Sequence, residues 1–320
     1  MIKLEFHAPL HDPDWSEWRK KAERATRTVK RRVTTGQRCA INEKLYKAQR
    51  LVFLQATHSK CAYCEVDLPT GQLYGDVEHY RPKLRVTDAR GRVIMIPGAN
   101  GQPPRPHPGY PWLAYDPSNL LPACLACNRP GTLRTGERIG KWDQFPVRRF
   151  RASKPGDETM ERPLLLHPVF DEPEKHLTLQ LETGMLCAKT ARGEATITIL
   201  GLNREGLPEA RRDVATDVQA LVVAARTSLD EGLLDDARSY IQRIASYRSG
   251  TAPFSWAGRL TLDALGAETG GAASIVTTAA PLAATARPRS HTAHTPRPPA
   301  RTRRLRLPHP PCVLRCSNSL

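Results

Sequence analysis

Long apolar runs are what this sequence lacks first. No stretch of the 320 residues reaches the roughly 18 to 20 consecutive apolar residues needed to span a bilayer, which excludes an integral membrane helix. The N-terminus also lacks the apolar core of a secretory signal. Met1-Ile-Lys-Leu-Glu-Phe is interrupted by charge at once, so a cytoplasmic protein is expected. Acidic residues are short as well: 32 Asp and Glu face 48 Lys and Arg, a formal charge of +16 that fits a polyanionic partner, nucleic acid first. No repeat of fixed period is found, which argues against a solenoid. Segments such as Leu51-Val-Phe-Leu54 and Ile197-Thr-Ile-Leu200 need burial and exclude a fully disordered chain. The length allows one large or two ordinary domains.

The positive charge is unevenly spread. From Thr269 onward there is no Asp or Glu, eight arginines and eight prolines, and otherwise mostly Ala, Thr and Ser. Half of the +16 sits there, leaving +8 on residues 1–268. Proline removes amide donors and the apolar residues are small, so 267–320 reads as a disordered basic tail, either a loose nucleic-acid binder or an end with no function. Residues 1–60 read as a helical segment. A first helix carries Trp15, Trp18 and the basic run Lys20, Lys21, Arg24, Arg27, Lys30, Arg31 and Arg32; a second, near 42–57, places Leu45, Ala48, Leu51 and Val52 at helical spacing. The basic run is read as a solvated face, with phosphate tracking as the alternative. Residues 151–266 read as mostly helical, with short strands or a strand and helix at 177–181 and 196–200. A helical region follows from Pro208 to about Ser246, with Asn203 or Glu205 near the cap and a break at Gly232.

Between them, residues 61–150 are dense in Cys, His, Pro and Gly. Of eight cysteines, Cys39, Cys187, Cys312 and Cys316 are scattered, whereas Cys61, Cys64, Cys124 and Cys127 form two Cys-x-x-Cys pairs. In a reducing compartment this points to metal rather than disulfides. A two-residue spacer lets both thiolates of a knuckle face one ion, and two knuckles complete a tetrahedral four-sulfur zinc site. The 59 residues between the pairs cost little closure entropy.

Glu78, His79, Asn119 and Asn128 all lie between or beside these knuckles. Phosphodiester hydrolysis needs a base, a hard cation and something that orients the base. His79 titrates near neutrality and supplies the base. Glu78 and the amide oxygen of Asn128 are oxygen donors suited to Mg²⁺ or Mn²⁺. Asn119 can hold the loop that carries His79.

The order Cys-x-x-Cys, Glu-His, Asn, Cys-x-x-Cys-Asn resembles the HNH endonucleases. The resemblance implies an α+β protein whose zinc-stapled ββα-metal nuclease module (HNH, treble-clef-like) is flanked by mostly helical segments. It matches His79 to the general base, Glu78 to the adjacent acidic metal ligand and Asn119 to the central Asn. Asn128 stands where many members carry a final His, making this an HNN variant. A narrower resemblance, to the HNH proteins of retron and Septu anti-phage systems, rests on Cys61–Glu65, Val77–Lys83, Trp112–Asp116, Asn119–Cys124, Phe145-Pro146, Leu164–Pro168 and Leu200–Arg204. It covers about residues 40–265 and implies an effector nuclease that acts beside a partner ATPase. A non-catalytic zinc module that binds nucleic acid or scaffolds a complex is the rival from another class.

Other residues carry lower stakes. Arg81 and Lys83 follow the base and are candidate phosphate contacts. Trp112 and Tyr115 are read as core rather than as stacking platforms. Lys141, Trp142 and Phe145 are read as packing with one exposed charge. His107, in the proline-rich loop, is expected at the surface, and His167 is expected to be structural.

Overall fold

The structure, a computed structural model, describes residues 1, 3–4, 12–68, 75–98 and 101–269. Helix α1 spans Pro13–Thr34. Asp12 starts it, its carboxylate accepting from the amides of Asp14 (2.8 Å) and Trp15 (3.4 Å), with Pro13 supplying a first-turn φ at no cost in donors. Trp15, Trp18, Ala22 and Val29 form its buried stripe. The exposed face is in part internally paired, Lys21 with Glu17 and Arg19 with Glu23.

The expected second helix is two short ones, α2 (Glu43–Lys47) and α3 (Arg50–Ala56). Their buried residues are Tyr46, Phe53 and Leu54, whereas Leu51 is 59% exposed, so the apolar face differs from the one expected. Phe53 meets Trp15 and Trp18 edge-on at 6.2 and 6.5 Å, and the Trp18 indole N–H donates to the Leu45 carbonyl.

Among the described residues, strands are short and occur as five antiparallel ribbons. In chain order, β1 is Asp76–His79, β2 Met95–Ile96, β3 Arg105–Pro106 and β4 Leu120–Ala123. Helix α4, Leu125–Asn128, follows β4 directly. Next come β5 (Gly131–Thr132), β6 (Arg138–Ile139), β7 (Val147–Arg148), β8 (Arg162–Pro163), β9 (Leu177–Leu179) and β10 (Leu186–Ala188). Helices α5 (Ala191–Leu200), α6 (Leu207–Asp230), α7 (Leu234–Arg248) and α8 (Ser255–Thr269) complete the described chain. The pairs are β1–β4, β2–β3, β5–β6, β7–β8 and β9–β10. The fold is thus mixed α+β, with a strand–strand–helix unit formed by β1, β4 and α4.

The segment 196–200 is helical, inside α5. Gly232, with φ of 74°, lies at the break between α6 and α7, as its position suggested. Neither Asn203 nor Glu205 caps α6. Glu209 accepts from the Gly206 amide, while Asn203 makes a two-way amide bond to the Leu186 backbone and ties β10 to the turn before α6. Helix α8 runs to Thr269, across the boundary expected at 266/267. The remainder of the proposed tail, 270–320, with Cys312 and Cys316, lies outside the described residues.

One hydrophobic core joins the three expected segments: Trp15 and Phe53 from the first, Tyr63, Trp112 and Phe145 from the second, Leu165, Leu200 and Trp256 from the third. A second cluster, including Val218, Leu221, Ile244 and Leu262, packs α6, α7 and α8 together. Buried Lys60 clasps the first knuckle to the loop before α8 by donating to the carbonyls of Gly250 and Ala252. Trp112 and Tyr115 are core residues. The Trp112 indole donates to Glu158, and the Tyr115 hydroxyl accepts the Asn42 amide.

Two histidines serve as backbone clasps. His167 bonds the Ser118 carbonyl through Nε2 (2.9 Å) and accepts the Val169 amide on Nδ1 (3.1 Å), a structural role. His107 does the same with the Ala152 carbonyl (2.7 Å) and the Gly109 amide (3.0 Å). It is buried, not at the surface: each His-Pro-x turn folds the amide two residues on back onto the ring. Burial pushes both imidazoles down to about 4. The folded protein therefore holds them neutral while the unfolded chain binds protons below about pH 6.5. Stability from these two is complete above that value and is lost as pH falls toward 4. Urea melts at pH 7.5 and pH 5 are expected to differ by about 2 kcal/mol per histidine from this cause, and His107→Gln with His167→Gln should shrink the difference.

Candidate active site

Residues far apart in sequence meet at the two knuckles. The sulfurs of Cys61, Cys64, Cys124 and Cys127 all lie within 4.8 Å of one another, Cys64 and Cys124 being 3.7 Å apart. The Cys124 amide points at the Cys61 sulfur (3.3 Å) and the Cys127 amide at the Cys124 sulfur (3.4 Å), so the backbone already donates to the thiols that would ligate. Among the described residues this is the group of His, Cys, Asp and Glu close enough together to hold a metal ion.

Arg204, in the turn between α5 and α6, lies 3.4–3.5 Å from the sulfurs of Cys64, Cys124 and Cys127. Burial alone would lower its pKa; the three sulfurs outweigh burial and raise it. Four thiolates on a divalent ion carry two net negative charges, and Arg204 supplies one of the opposite sign. Leu200–Arg204 was singled out in the sequence only as a segment, with no role for its arginine.

The β1–β4 register sets Glu78 against Leu121 and His79 against Leu120. Asn119 precedes β4 and grips the turn after β1. Its Oδ1 accepts the Arg81 amide (2.7 Å), and its Nδ2 donates to the carbonyls of Arg81 and Leu113, both 3.1 Å away. That is the loop-holding geometry expected of it. His79 is buried, with its Nε2 3.0 Å from the Ala114 carbonyl and the Tyr46 ring edge-on at 4.5 Å. A carbonyl only accepts, so Nε2 carries the proton and Nδ1 keeps its lone pair. Burial, then the charge of Lys83, hold the imidazole well below its ordinary range, so it is neutral at physiological pH.

A cavity of about 730 Å³ opens here, lined among others by Asp76, Glu78, His79, Lys83, Asn128 and Trp142. Asn128 gives its Nδ2 to Asp76 (3.0 Å), and Arg129 donates to the same carboxylate oxygen (3.1 Å). Asp76 thereby fixes which end of the amide is the oxygen. That oxygen, Asn128 Oδ1, is buried and has no hydrogen-bond partner. An orphaned buried acceptor is costly unless something electropositive completes it. The donor set of Glu78 and Asn128 Oδ1 is the oxygen chemistry that Mg²⁺ or Mn²⁺ takes.

Glu78 itself is engaged. Lys141, fully buried, donates to Glu78 Oε1 at 2.6 Å and to the carbonyls of His79 (2.7 Å) and Trp142 (3.3 Å). Burial pushes the Glu78 carboxyl up, while Lys141 and then Lys83 pull it down. The expected packing at 141–145 is therefore reversed at two positions: Lys141 is interior, and Trp142 is 45% exposed, with φ of 43°. Gly140 makes the approach possible, since a Cβ there would sit 1.7 Å from the Arg129 carbonyl oxygen.

Arg81 and Lys83, paired in expectation, part company. Arg81 turns inward, donating to Glu161 at 3.0 Å beneath the rings of Tyr80, Tyr110 and Phe145, and it does not line the cavity. The fully buried Glu161 needs a cation, and Arg81 supplies it. Lys83 does line the cavity, lies 5.0 Å over the Tyr46 ring, and has no carboxylate partner among the described residues. Sequence reasoning missed Asp76, Lys141 and Arg204. None had a spacing signal.

No family model matches the chain, and no solved structure gives a significant match. The chain is 36% identical over 166 residues to Septu protein PtuB of Bacillus mycoides (strain KBAB4), covering 51% of this chain and 49% of that protein. It is 32% identical over 168 residues to Septu protein PtuA of the same strain, 51% of this chain and 20% of that one. Against Septu protein PtuB of Bacillus thuringiensis identity is 24% over 155 residues, 48% and 41% of the two chains. The chain thus spans half or less of the length of the curated relatives it matches. Among the described residues no helix is long and apolar enough to cross a membrane.

Lys141→Met leaves Glu78 without its hydrogen-bonded ion-pair partner, and is expected to cost about 3–5 kcal/mol in urea unfolding. Adding Glu78→Gln should recover most of that loss. Additive costs in the double-mutant cycle would mean that the two side chains do not act as a pair.

Proposed function

We propose that the chain is a metal-dependent HNH endonuclease of the HNN type, hydrolysing phosphodiester bonds of nucleic acid, DNA foremost and RNA as the alternative. The observation that carries this reading is the neutral His79, its lone pair at Nδ1, lining the same cavity as Asn128, whose buried Oδ1 has no hydrogen-bond partner. His79 Nδ1 takes a proton from the attacking water, with the Ala114 carbonyl holding the ring and stabilising the imidazolium that forms. Asn119 fixes the turn beneath it, and Lys83 meets the phosphate. A divalent cation on Glu78 and Asn128, when bound, supplies charge stabilisation at the phosphate and leaving oxygen. Arg81 is left out of the site.

The four cysteines hold a structural zinc that does no chemistry. The resemblance to retron and Septu nucleases, with the similarity to the Septu proteins PtuB and PtuA, supports an effector of anti-phage defence that works with a partner ATPase. One observation favours the second reading, a non-catalytic nucleic-acid-binding or scaffold module: the Lys141 ammonium already occupies one oxygen of Glu78.

His79→Ala is expected to reduce cleavage of plasmid or single-stranded substrate in Mg²⁺ or Mn²⁺ by about 10²–10⁴-fold, with circular dichroism and zinc content unchanged. Cleavage equal to the wild type would remove His79 as the base. A wild-type chain that cuts neither DNA nor RNA, with its partner present, would favour the scaffold. Elemental analysis should find one zinc per chain, and Cys61→Ser with Cys124→Ser should abolish it and lower the melting temperature.

A further inference from the structure

A second cavity, about 1040 Å³, adjoins the first and shares Glu43, Lys83 and Leu84 with it. Its walls come from four places in the chain: the end of α1 and the loop to Ile41, the turn at 83–84, the segment 105–111 and the loop at 153–154. Three of these deliver an exposed cation, Arg38, Arg105 and Lys154, and the fourth delivers Lys83. None of the four has a carboxylate partner among the described residues. This contrasts with neighbours such as Arg85 with Asp143, Arg92 with Asp88 and Arg129 with Asp76. The acid on this wall, Glu43, is already paired with Lys47 at 2.8 Å.

Cations from distant segments that converge on one concave wall, without counter-charges, make a positive field that a polyanion fills. The wall's remaining residues are mostly apolar or small, Val33, Ala40, Ile41 and Pro108 among them, with Thr34, Gln37 and Ser153 as its neutral polar side chains, so its charged contacts fall on a backbone rather than on bases. Lys83 stands in the wall common to both cavities, so a strand lying in the second leads past it to His79.

We propose that this second cavity binds the phosphodiester backbone of the nucleic acid strand flanking the bond cut at His79, through Arg38, Arg105, Lys154 and Lys83, independently of sequence. The inference rests on the nuclease reading above and gives it a substrate track. The long basic run of α1 plays no part in it: Lys20, Arg24 and Arg27 are exposed but lie outside the cavity.

The test uses the full chain carrying His79→Ala, so that nothing is cut, and fluorescence anisotropy with labelled single-stranded DNA, duplex DNA and RNA of equal length. Replacing Arg38, Arg105 and Lys154 together by Ala should weaken binding at least tenfold, equally for unrelated sequences, and lower the slope of log affinity against log salt by about 2–3. Replacing Lys20, Arg24 and Arg27 removes the same charge and should change affinity by less than about twofold. The three nucleic acids distinguish which backbone geometry the track prefers. Equal weakening by both triple variants, no weakening by the first, or no binding by the parent overturns the track. The two readings fail separately. A chain with His79 that never cuts, yet binds through Arg38, Arg105 and Lys154, loses the nuclease and keeps the track. A chain that cuts with the same KM in both triple variants keeps the nuclease and loses the track.

Discussion

Everything near the cavity depends on the approach of two pairs of cysteines that the chain separates by 59 residues. The strands β1 and β4 are four residues each, too short to hold a ribbon in water by their own hydrogen bonds. Gathering Cys61, Cys64, Cys124 and Cys127 fixes the start of that ribbon's neighbourhood and the first turn of α4, which sets Asn128 beside Glu78 and His79. The contact is reinforced from the far end of the sequence, by Arg204 on the sulfurs and by Lys60 on the loop before α8. Helical segments that look like appendages therefore complete the surroundings of the cysteines.

The interior around this cluster is unusually polar, and each polar group is placed by another. Arg81 neutralises Glu161, Lys141 neutralises Glu78, and His107 and His167 fasten loops to carbonyls. Such pairs contribute little net stability compared with an apolar core, but they define one arrangement, because any slip leaves a charge unpaired. Asn128 Oδ1 and the Tyr63 hydroxyl are exceptions near the cysteines, buried polar atoms without a hydrogen-bond partner.

How far the sequence could be read follows from the kind of signal each residue left. The cysteines were legible because ligation imposes spacing; Glu78, His79, Asn119 and Asn128 stood out because they lie between or beside those cysteines in an order resembling the HNH endonucleases, and Glu78, His79 and Asn128 line one cavity. Gly232 was legible as a break because a left-handed backbone favours glycine. Charge pairing left no comparable trace. A lysine after Gly140 and an arginine after Tyr80 look like surface charges until the fold shows what they oppose, so Lys141 was read as exposed and the pairing of Arg81 with Glu161 left no sign. The single helix read over 42–57 is divided for a similar reason: burial of Phe53 against Trp15 and Trp18, and of Tyr46 against His79, is a tertiary choice that a helical period does not contain.

The exposure of Trp142 has an optical consequence. Trp15, Trp18, Trp112 and Trp256 are all buried, so the protein's indoles form two populations, four screened from solvent and one open to it on the cavity wall. An aqueous quencher will reach the second population first. Whatever enters the cavity beside His79 will screen that one ring, so the emission of the unlabelled chain reports occupancy.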